Sequence, residues 1–282
     1  MIEVLKSGFA TSIQDLGRVG FAKFGVPKNG AMDQYSANFA NLLVGNSLDA
    51  AVMEITLTGP KLHFHSKTLI AVVSLGTELF LNGEKQALNE ACLVENGSVL
   101  ELQKITLGNF AYLAVYGGFQ TEFVLGSRSM YDGITSKSRL KKGSVLEIPA
   151  YSSTIKTLYA STRFDMERYS TNKVEVFTGP EFHLLSEKTK QLLLENKFTL
   201  SSDSNRMAYL LEEQLENELK PILTGPVLPG TIQLTPSGKL IVLMRDCQTT
   251  GGYPRVLQVS EKSLGVLAQK RTRETVLFSL QK

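Results

Sequence analysis

Turn-forming residues cut this chain into many short apolar runs, and that spacing constrains its fold more than any other feature. Runs at 52–58, 61–65, 68–75, 78–81, 93–95, 98–104 and 111–116 follow one another with few residues between them. Runs this short, bounded by Gly, Pro, Asn and Ser, read as β-strands. Asn82-Gly83 predicts a hairpin, because both central residues of the favoured two-residue turn need positive φ. Further strands are expected at 2–7, 231–234, 240–244, 256–259 and 274–280. From Asp33 to Val44, Tyr35, Phe39, Leu42 and Leu43 recur at the spacing of one helical face. Asp33 or the turn at Gly30 would start this helix, and Gly45 with Asn46 would stop it. Shorter helices are expected over 186–196, with Leu192–Leu194 at its buried end, and over 261–269. Many strands and few helices predict an all-β fold with a few short helices, a barrel or sandwich rather than a parallel α/β sheet.

Glu54-Ile-Thr-Leu-Thr-Gly-Pro60 is echoed by Glu175-Val-Phe-Thr-Gly-Pro180, which hints at two related β-rich halves. The expected division is 1–160 and 161–282, the second half carrying DCQTTGGYP at 246–254, with 151–172 as the connection.

That motif lies in the most informative polar stretch. The apolar run Leu240–Met244 ends in Arg245, Asp246, Cys247, Gln248, Thr249 and Thr250, followed by Gly251, Gly252, Tyr253 and Pro254. A buried strand that delivers polar side chains onto a glycine turn is one way to build a site. An ordinary turn between two strands is the other reading, and spacing alone does not choose. The paired glycines suit either positive φ or close backbone approach. Ser12–Pro27 reads as an ordered loop anchored by Ile13, Leu16, Val19, Phe21 and Phe24. Asp15 and Arg18 in it would either pair with each other or face a ligand. Ala111–Ser129 runs a strand into Gly117-Gly118 and then a polar turn with Arg128 and Ser129. Ser201–Leu211 sets Arg206 between small polar residues and an apolar segment.

Composition narrows the function. The net charge of +3 and the absence of basic stretches interleaved with aromatics argue against nucleic acid. No apolar run approaches the ~20 residues that span a bilayer. The start of the chain lacks the apolar core and small-residue cleavage site of a signal peptide, so a cytoplasmic protein is expected. Cys92 and Cys247 stand in unlike contexts, and a disulfide is not expected. His63 and His65 alternate along a strand and could share a face, but no third ligand is visible, so no metal site is expected.

Several motifs together carry a resemblance: QDLGRVG at 14–20, FGVPKNGAMD at 24–33, ANLLVGN at 40–46, VYGGF at 115–119, LGSRS at 125–129 and DCQTTGGYP at 246–254. In this order they resemble the biotin-dependent carboxyltransferase, or allophanate hydrolase subunit 2, family. The resemblance implies a cyclophilin-like antiparallel β-barrel. It implies a subunit of an ATP-dependent 5-oxoprolinase complex that opens 5-oxo-L-proline to L-glutamate. The partners would be the B-type and A-type subunits of that complex, and the substrate a small amide. The complex would use ATP, but no Walker-type loop is present here, so ATP is expected on a partner. Other members of the family move carboxylate from carboxybiotin to urea, or bind a kinase-inhibitor protein without turnover. Biotin enters only under the first of these alternatives.

The motifs also imply site residues. Arg18, Arg128 and Arg206 are the candidates for binding substrate anions. Asp246 is the candidate base or polarising carboxylate, with Gln248 and Tyr253 completing the catalytic set and Thr249 and Thr250 binding substrate. An ion pair between Asp246 and one of these arginines is the structural alternative. Ser204-Asn205-Arg206-Met207-Ala208-Tyr209-Leu210 departs from the family's usual Ser-Asp-Arg-Met-Gly-Tyr-Arg, and Leu210 removes a planar donor that leucine cannot imitate.

Overall fold

The structure, a computed structural model, describes residues 1–151 and 163–281. The chain forms two compact units, one of Met1–Gly17 and Asp33–Met166, the other of Arg18–Met32 and Glu167–Lys282. The expected boundary at 160/161, and residues 152–162 of the expected connection, lie outside the described residues. Among the described residues, no helix is long and apolar enough to cross a membrane.

Strands of the first unit are β1 (Ile2–Lys6), β2 (Ala10–Gln14), β3 (Val52–Thr56), β4 (Lys61–Phe64), β5 (Thr68–Gly76), β6 (Leu79–Leu81), β7 (Glu84–Gln86), β8 (Ala91–Val94), β9 (Val99–Leu102), β10 (Leu107–Val115) and β11 (Val145–Leu146). They form two sheets, ordered β11-β1-β4-β9-β6-β7 and β2-β3-β10-β5-β8. Asn82 and Gly83 turn β6 into β7 with φ of 53° and 86°, the expected hairpin. β2 occupies the start of the segment read as a loop from Ser12, and its Thr11 and Ile13 alternate inward.

Every residue of β10 from Phe110 to Val115 is buried, as in a strand covered on both faces. Ala111, Leu113 and Val115 join a core with Ile2, Val4, Ile55 and Phe64. Helix α1 (Gln34–Leu43) packs on β3, β5 and β10. Its N-cap is Asp33, whose carboxylate accepts from Ser36 N–H at 3.3 Å and Ser36 Oγ at 2.6 Å. Asp33 N–H donates to Tyr112 Oη at 2.8 Å, and Tyr112 Oη donates to Glu54 Oε2 at 2.8 Å. Burial first, then the Glu54 and Asp33 charges, push the Tyr112 phenol well above its ordinary pKa. The packed face of α1 differs from the expected stripe. Ser36, Ala37, Ala40 and Asn41 are buried beside Phe39, while Leu42 is 46% exposed. Small side chains let the helix approach the sheet, and Phe39 packs with Tyr35 and Phe164 at one edge.

Strands of the second unit are β12 (Lys173–Thr178), β13 (Lys197–Thr199), β14 (Ala208–Gln214), β15 (Gly225–Pro226), β16 (Thr231–Leu234), β17 (Lys239–Leu243), β18 (Thr250–Gly251), β19 (Arg255–Val259) and β20 (Thr275–Leu280). Seven of them order as β13-β20-β12-β19-β16-β17-β14. Leu200 bridges to Leu211, and Ser201 N–H donates to Leu210 O at 2.9 Å, so the two ends meet and the sheet is a nearly closed barrel. One pair, β12 with β20, is parallel, where an antiparallel barrel was expected. Helix α2 (Glu187–Glu195) packs on β20 and α3 (Glu261–Ala268) on β12. Ser186 and Ser260 cap them, accepting from Thr189 N–H and Ser263 N–H. Of the expected apolar trio on α2, only Leu193 is buried.

Candidate functional site

β17 carries the chain out of the barrel wall into Met244-Arg245-Asp246-Cys247, a turn closed by Cys247 N–H donating to Met244 O at 3.1 Å. The loop before β14 runs alongside it. Met244 N–H donates to Met207 O and Asp246 N–H to Arg206 O, both at 2.9 Å. These backbone bonds put Arg206 and Asp246 side by side. Arg206 Nε donates to Asp246 Oδ2 at 2.7 Å and Nη2 to Oδ1 at 3.0 Å, a bidentate pair. Arg206 Nη2 also donates to Gly30 O at 2.8 Å.

Asn29 completes the arrangement. Its Nδ2 donates to Asp246 Oδ1 at 2.8 Å, its Oδ1 accepts from Arg18 Nη1 at 3.0 Å, and its N–H donates to Arg245 O at 3.0 Å. Asn29 sits at φ 58°, the left-handed region that asparagine tolerates better than most residues. Asp246 and Arg18 are buried, 8% and 2% exposed, whereas the Arg206 side chain keeps 24% exposure. The second unit therefore holds Arg18, Asn29, Arg206 and Asp246 in one network. Asp246 spends its carboxylate on Arg206 and Asn29, which is the ion-pair alternative for this residue. Asn29 was missed as a site residue. Its signal was the Asn-Gly dipeptide just ahead of the α1 cap.

Beyond this network, Gln248, Thr249, Thr250 and Tyr253 lie along the exit of the motif, half-buried to exposed, with Tyr253 39% exposed. Among the described residues, none of these four side chains hydrogen-bonds to another. β18 pairs with β15, Gly225 opposite Gly251. Neither Gly251 nor Gly252 adopts positive φ. At Gly251 the requirement is room, since a Cβ would come within 2.5 Å of Gln233 Nε2. Gln233, 2% exposed, donates to Tyr253 O at 3.3 Å and fixes the far end of the motif.

Arg255 follows directly and is gripped by Glu181. Nε donates to Oε2 at 2.9 Å, Nη2 to Oε1 at 2.7 Å, and Nη1 reaches Pro226 O at 2.9 Å. The Arg255 hydrogen bonds hold the Glu181 carboxyl below its usual range. Arg245 pairs with Glu261 in the first turn of α3.

Cys247 packs with Val227 and Leu243. Burial, then the Asp246 charge beside it, pushes its thiol up to about 12. Both cysteines are free. Alkylation with iodoacetamide at pH 8 is expected to leave Cys247 unmodified in the folded protein and to modify it in denaturant. Peptide mass analysis checks this, and rapid labelling of folded Cys247 contradicts its burial.

Arg128 lies in the first unit, in a network centred on Asp15. Asp15 accepts from Ser127 Oγ at 2.6 Å, Ser129 Oγ at 2.7 Å, Arg128 N–H at 2.6 Å and Gly17 N–H at 2.8 Å. The Arg128 guanidinium turns back on its own loop, to Thr121 O and to Gln120 Oε1 at 2.9 Å. It also lies over the Phe123 ring at 5.3 Å. Asp15 thus anchors the 127–129 turn, and Arg18 reaches Asn29.

The chain belongs to the family of the carboxyltransferase domain, subdomains A and B, which matches residues 24–280. It is 33% identical to the C subunit of 5-oxoprolinase from Escherichia coli over 282 residues, covering 95% of this chain and 87% of that protein. It is 30% identical to the C subunit of the Haemophilus influenzae 5-oxoprolinase, covering 99% of this chain and 90% of that one. Urea amidolyase of Saccharomyces cerevisiae matches at 41% over 155 residues, 53% of this chain and 8% of that protein. Among solved structures, TTHA0988 superposes with a TM-score of 0.87 at 26% identity, covering 99% of this chain, which spans 55% of that one. Urea amidolyase of K. lactis superposes with a TM-score of 0.87 at 30% identity, covering all of this chain, which spans 19% of that one.

Proposed function

We propose that this chain is a subunit of an ATP-dependent 5-oxoprolinase, acting with B-type and A-type partner subunits to open 5-oxo-L-proline to L-glutamate. The observation that carries this reading is the near end-to-end match to the C subunit of 5-oxoprolinase, 95% of this chain against 87% of the relative. Opening the lactam breaks a resonance-stabilised C–N bond. Phosphorylation of the amide oxygen by ATP, bound on a partner, would make water attack on that carbon feasible. In this reading the partly exposed Arg206 faces a substrate carboxylate or phosphate, Asp246 and the Gly30 carbonyl hold its guanidinium, and Asn29 holds Asp246. Gln248, Thr249, Thr250 and Tyr253 supply hydrogen-bonding groups that orient the amide, and Arg18 extends the network through Asn29.

A second reading is favoured by one observation: the 41% identity to urea amidolyase across half of this chain. There the same donors would hold a urea-like acceptor while carboxylate arrives from carboxybiotin.

The deciding experiment reconstitutes the chain with both presumed partners and measures glutamate formed from 5-oxoproline and ATP, omitting each chain in turn. Glutamate formation that vanishes without this chain is the expected result. An assembled complex that makes no glutamate but carboxylates urea from carboxybiotin would replace the first reading with the second.

A further inference from the structure

The outer face of the first unit's six-stranded sheet carries a group of metal-ligating side chains apart from the network above. Along β4 and just beyond it, Leu62 and Phe64 point into the core at 1% and 0% exposure, so His63 and His65 share the opposite face. On the neighbouring strand β1, Ile2 and Val4 are fully buried, so Glu3 between them takes the same outer face as the histidines. The antiparallel register sets Glu3 directly across from His63. The His65 backbone is pinned beyond the strand end by its N–H donating to Met1 O at 2.9 Å. The two imidazoles meet edge-on with centroids 4.4 Å apart, and Glu3 Oε2 lies 3.3 Å from His65 Nε2.

We infer that Glu3, His63 and His65 form a binding site for a divalent transition-metal ion of the zinc class. One ligand atom from each of the three residues lies within 4.8 Å of the other two. Ligands bound to tetrahedral zinc at 2.0–2.1 Å sit about 3.3 Å from one another, a spacing the Glu3–His65 pair already has. The wider contacts close by side-chain rotation alone, since Glu3 and His63 are only half-buried and His65 is exposed. Two imidazoles and one carboxylate suit zinc and its neighbours better than magnesium or calcium, which prefer oxygen ligands throughout. Three protein ligands leave a fourth position open for water or an incoming donor. Two cations close by in sequence are engaged elsewhere: Lys61 pairs with Glu101 at 3.1 Å, and the Met1 ammonium donates to Ser66 Oγ at 3.1 Å. The sequence showed His63 and His65 as a pair without a third ligand, and β-sheet register supplies Glu3 across the strand boundary.

The test is titration of the full chain with Zn²⁺ by calorimetry and with Co²⁺ by visible absorption, beside His63→Ala, the double variant H63A/H65A and Glu3→Gln. The wild type should bind either ion and show d–d bands without thiolate charge-transfer absorption. Each single variant should weaken binding by at least on the order of tenfold. Zn²⁺ should raise the unfolding temperature of the wild type and leave that of H63A/H65A unchanged. The metal-free unfolding temperatures should match, which separates lost ligands from lost fold. Equal affinity in H63A/H65A and wild type, thiolate bands that place the ion on a cysteine, or no binding by the wild type would each overturn the site.

Discussion

Replacing Asp246 by Asn is expected to lower the stability of the second unit by about 2–4 kcal/mol, because one partner of a largely buried ion pair is removed. The same substitution should cut 5-oxoproline turnover of the assembled complex by at least roughly tenfold, the effect of about 1.4 kcal/mol on a barrier. Asn is close to Asp in shape, so the loss comes from hydrogen-bond polarity. Asp246 Oδ1 accepts from Asn29 Nδ2 and Arg206 Nη2, and Oδ2 accepts from Arg206 Nε. An amide presents one acceptor and one donor group. Whichever way it turns, its NH₂ faces an N–H of Arg206 or of both neighbours, and at least one donor is left unpaired. Equilibrium urea unfolding measures the first effect and the coupled assay the second. A double-mutant cycle with R206A separates two roles for Asp246. If it acts by holding Arg206, the double variant loses little more activity than the worse single variant, and the coupling is of order 2 kcal/mol. If Asp246 abstracts a proton, D246N costs additional turnover in the R206A background and removes the acidic limb of the pH–rate profile.

Gly179→Ala is expected to destabilise the second unit by more than about 3 kcal/mol, the range of core overpacking and broken buried networks combined. The reason is space, since Gly179 does not adopt positive φ. An added Cβ would overlap the Arg255 carbonyl oxygen and approach Arg255 C at 2.7 Å and Val256 C at 2.8 Å. Relief is blocked on every side. Gly179 N–H donates to Val256 O at 2.9 Å, Glu181 N–H to Arg255 O at 3.2 Å, and Arg255 N–H to Glu181 Oε2 at 2.8 Å. Moving this backbone would also loosen the Glu181–Arg255 grip at the end of DCQTTGGYP. Thr178→Ala, at an exposed neighbour, should stay within about 0.5 kcal/mol. Comparable urea midpoints for the two variants would contradict the close-approach argument. Gly59 and Gly225 follow the same logic. A Cβ at Gly59 would overlap Leu102 O, and one at Gly225 would reach Arg255 Nη1 at 2.9 Å. The recurring Thr-Gly-Pro at 58–60, 178–180 and 224–226 marks three places where a backbone passes very close to a neighbour.

What could be read from the chain was governed by sequence distance. The Asn82-Gly83 hairpin, the Asp33 cap of α1, the stop at Gly45 and the strand ending near Met244 each follow from a few adjacent residues, and each is present. The Asp246 network joins positions 217 residues apart, and Asp15 meets Ser129 across 114. No local pattern states which arginine faces which carboxylate. The packed face of α1 was misread because large apolar residues were counted, whereas a sheet with Tyr112 beneath the helix admits mainly small ones.

By itself, the sequence determined that this chain would be a β-rich protein with short helices. Backbone propensity and hydrophobic period are properties of neighbouring residues, so both are legible before folding. Only the tertiary structure decided that residues 18–32 belong with the second compact unit, and that Asp246 is shared by Arg206 and Asn29. It alone brought Glu3 across from His63. Those facts depend on strand register and on loops meeting far along the chain, where shifting one residue turns every side chain to the opposite face.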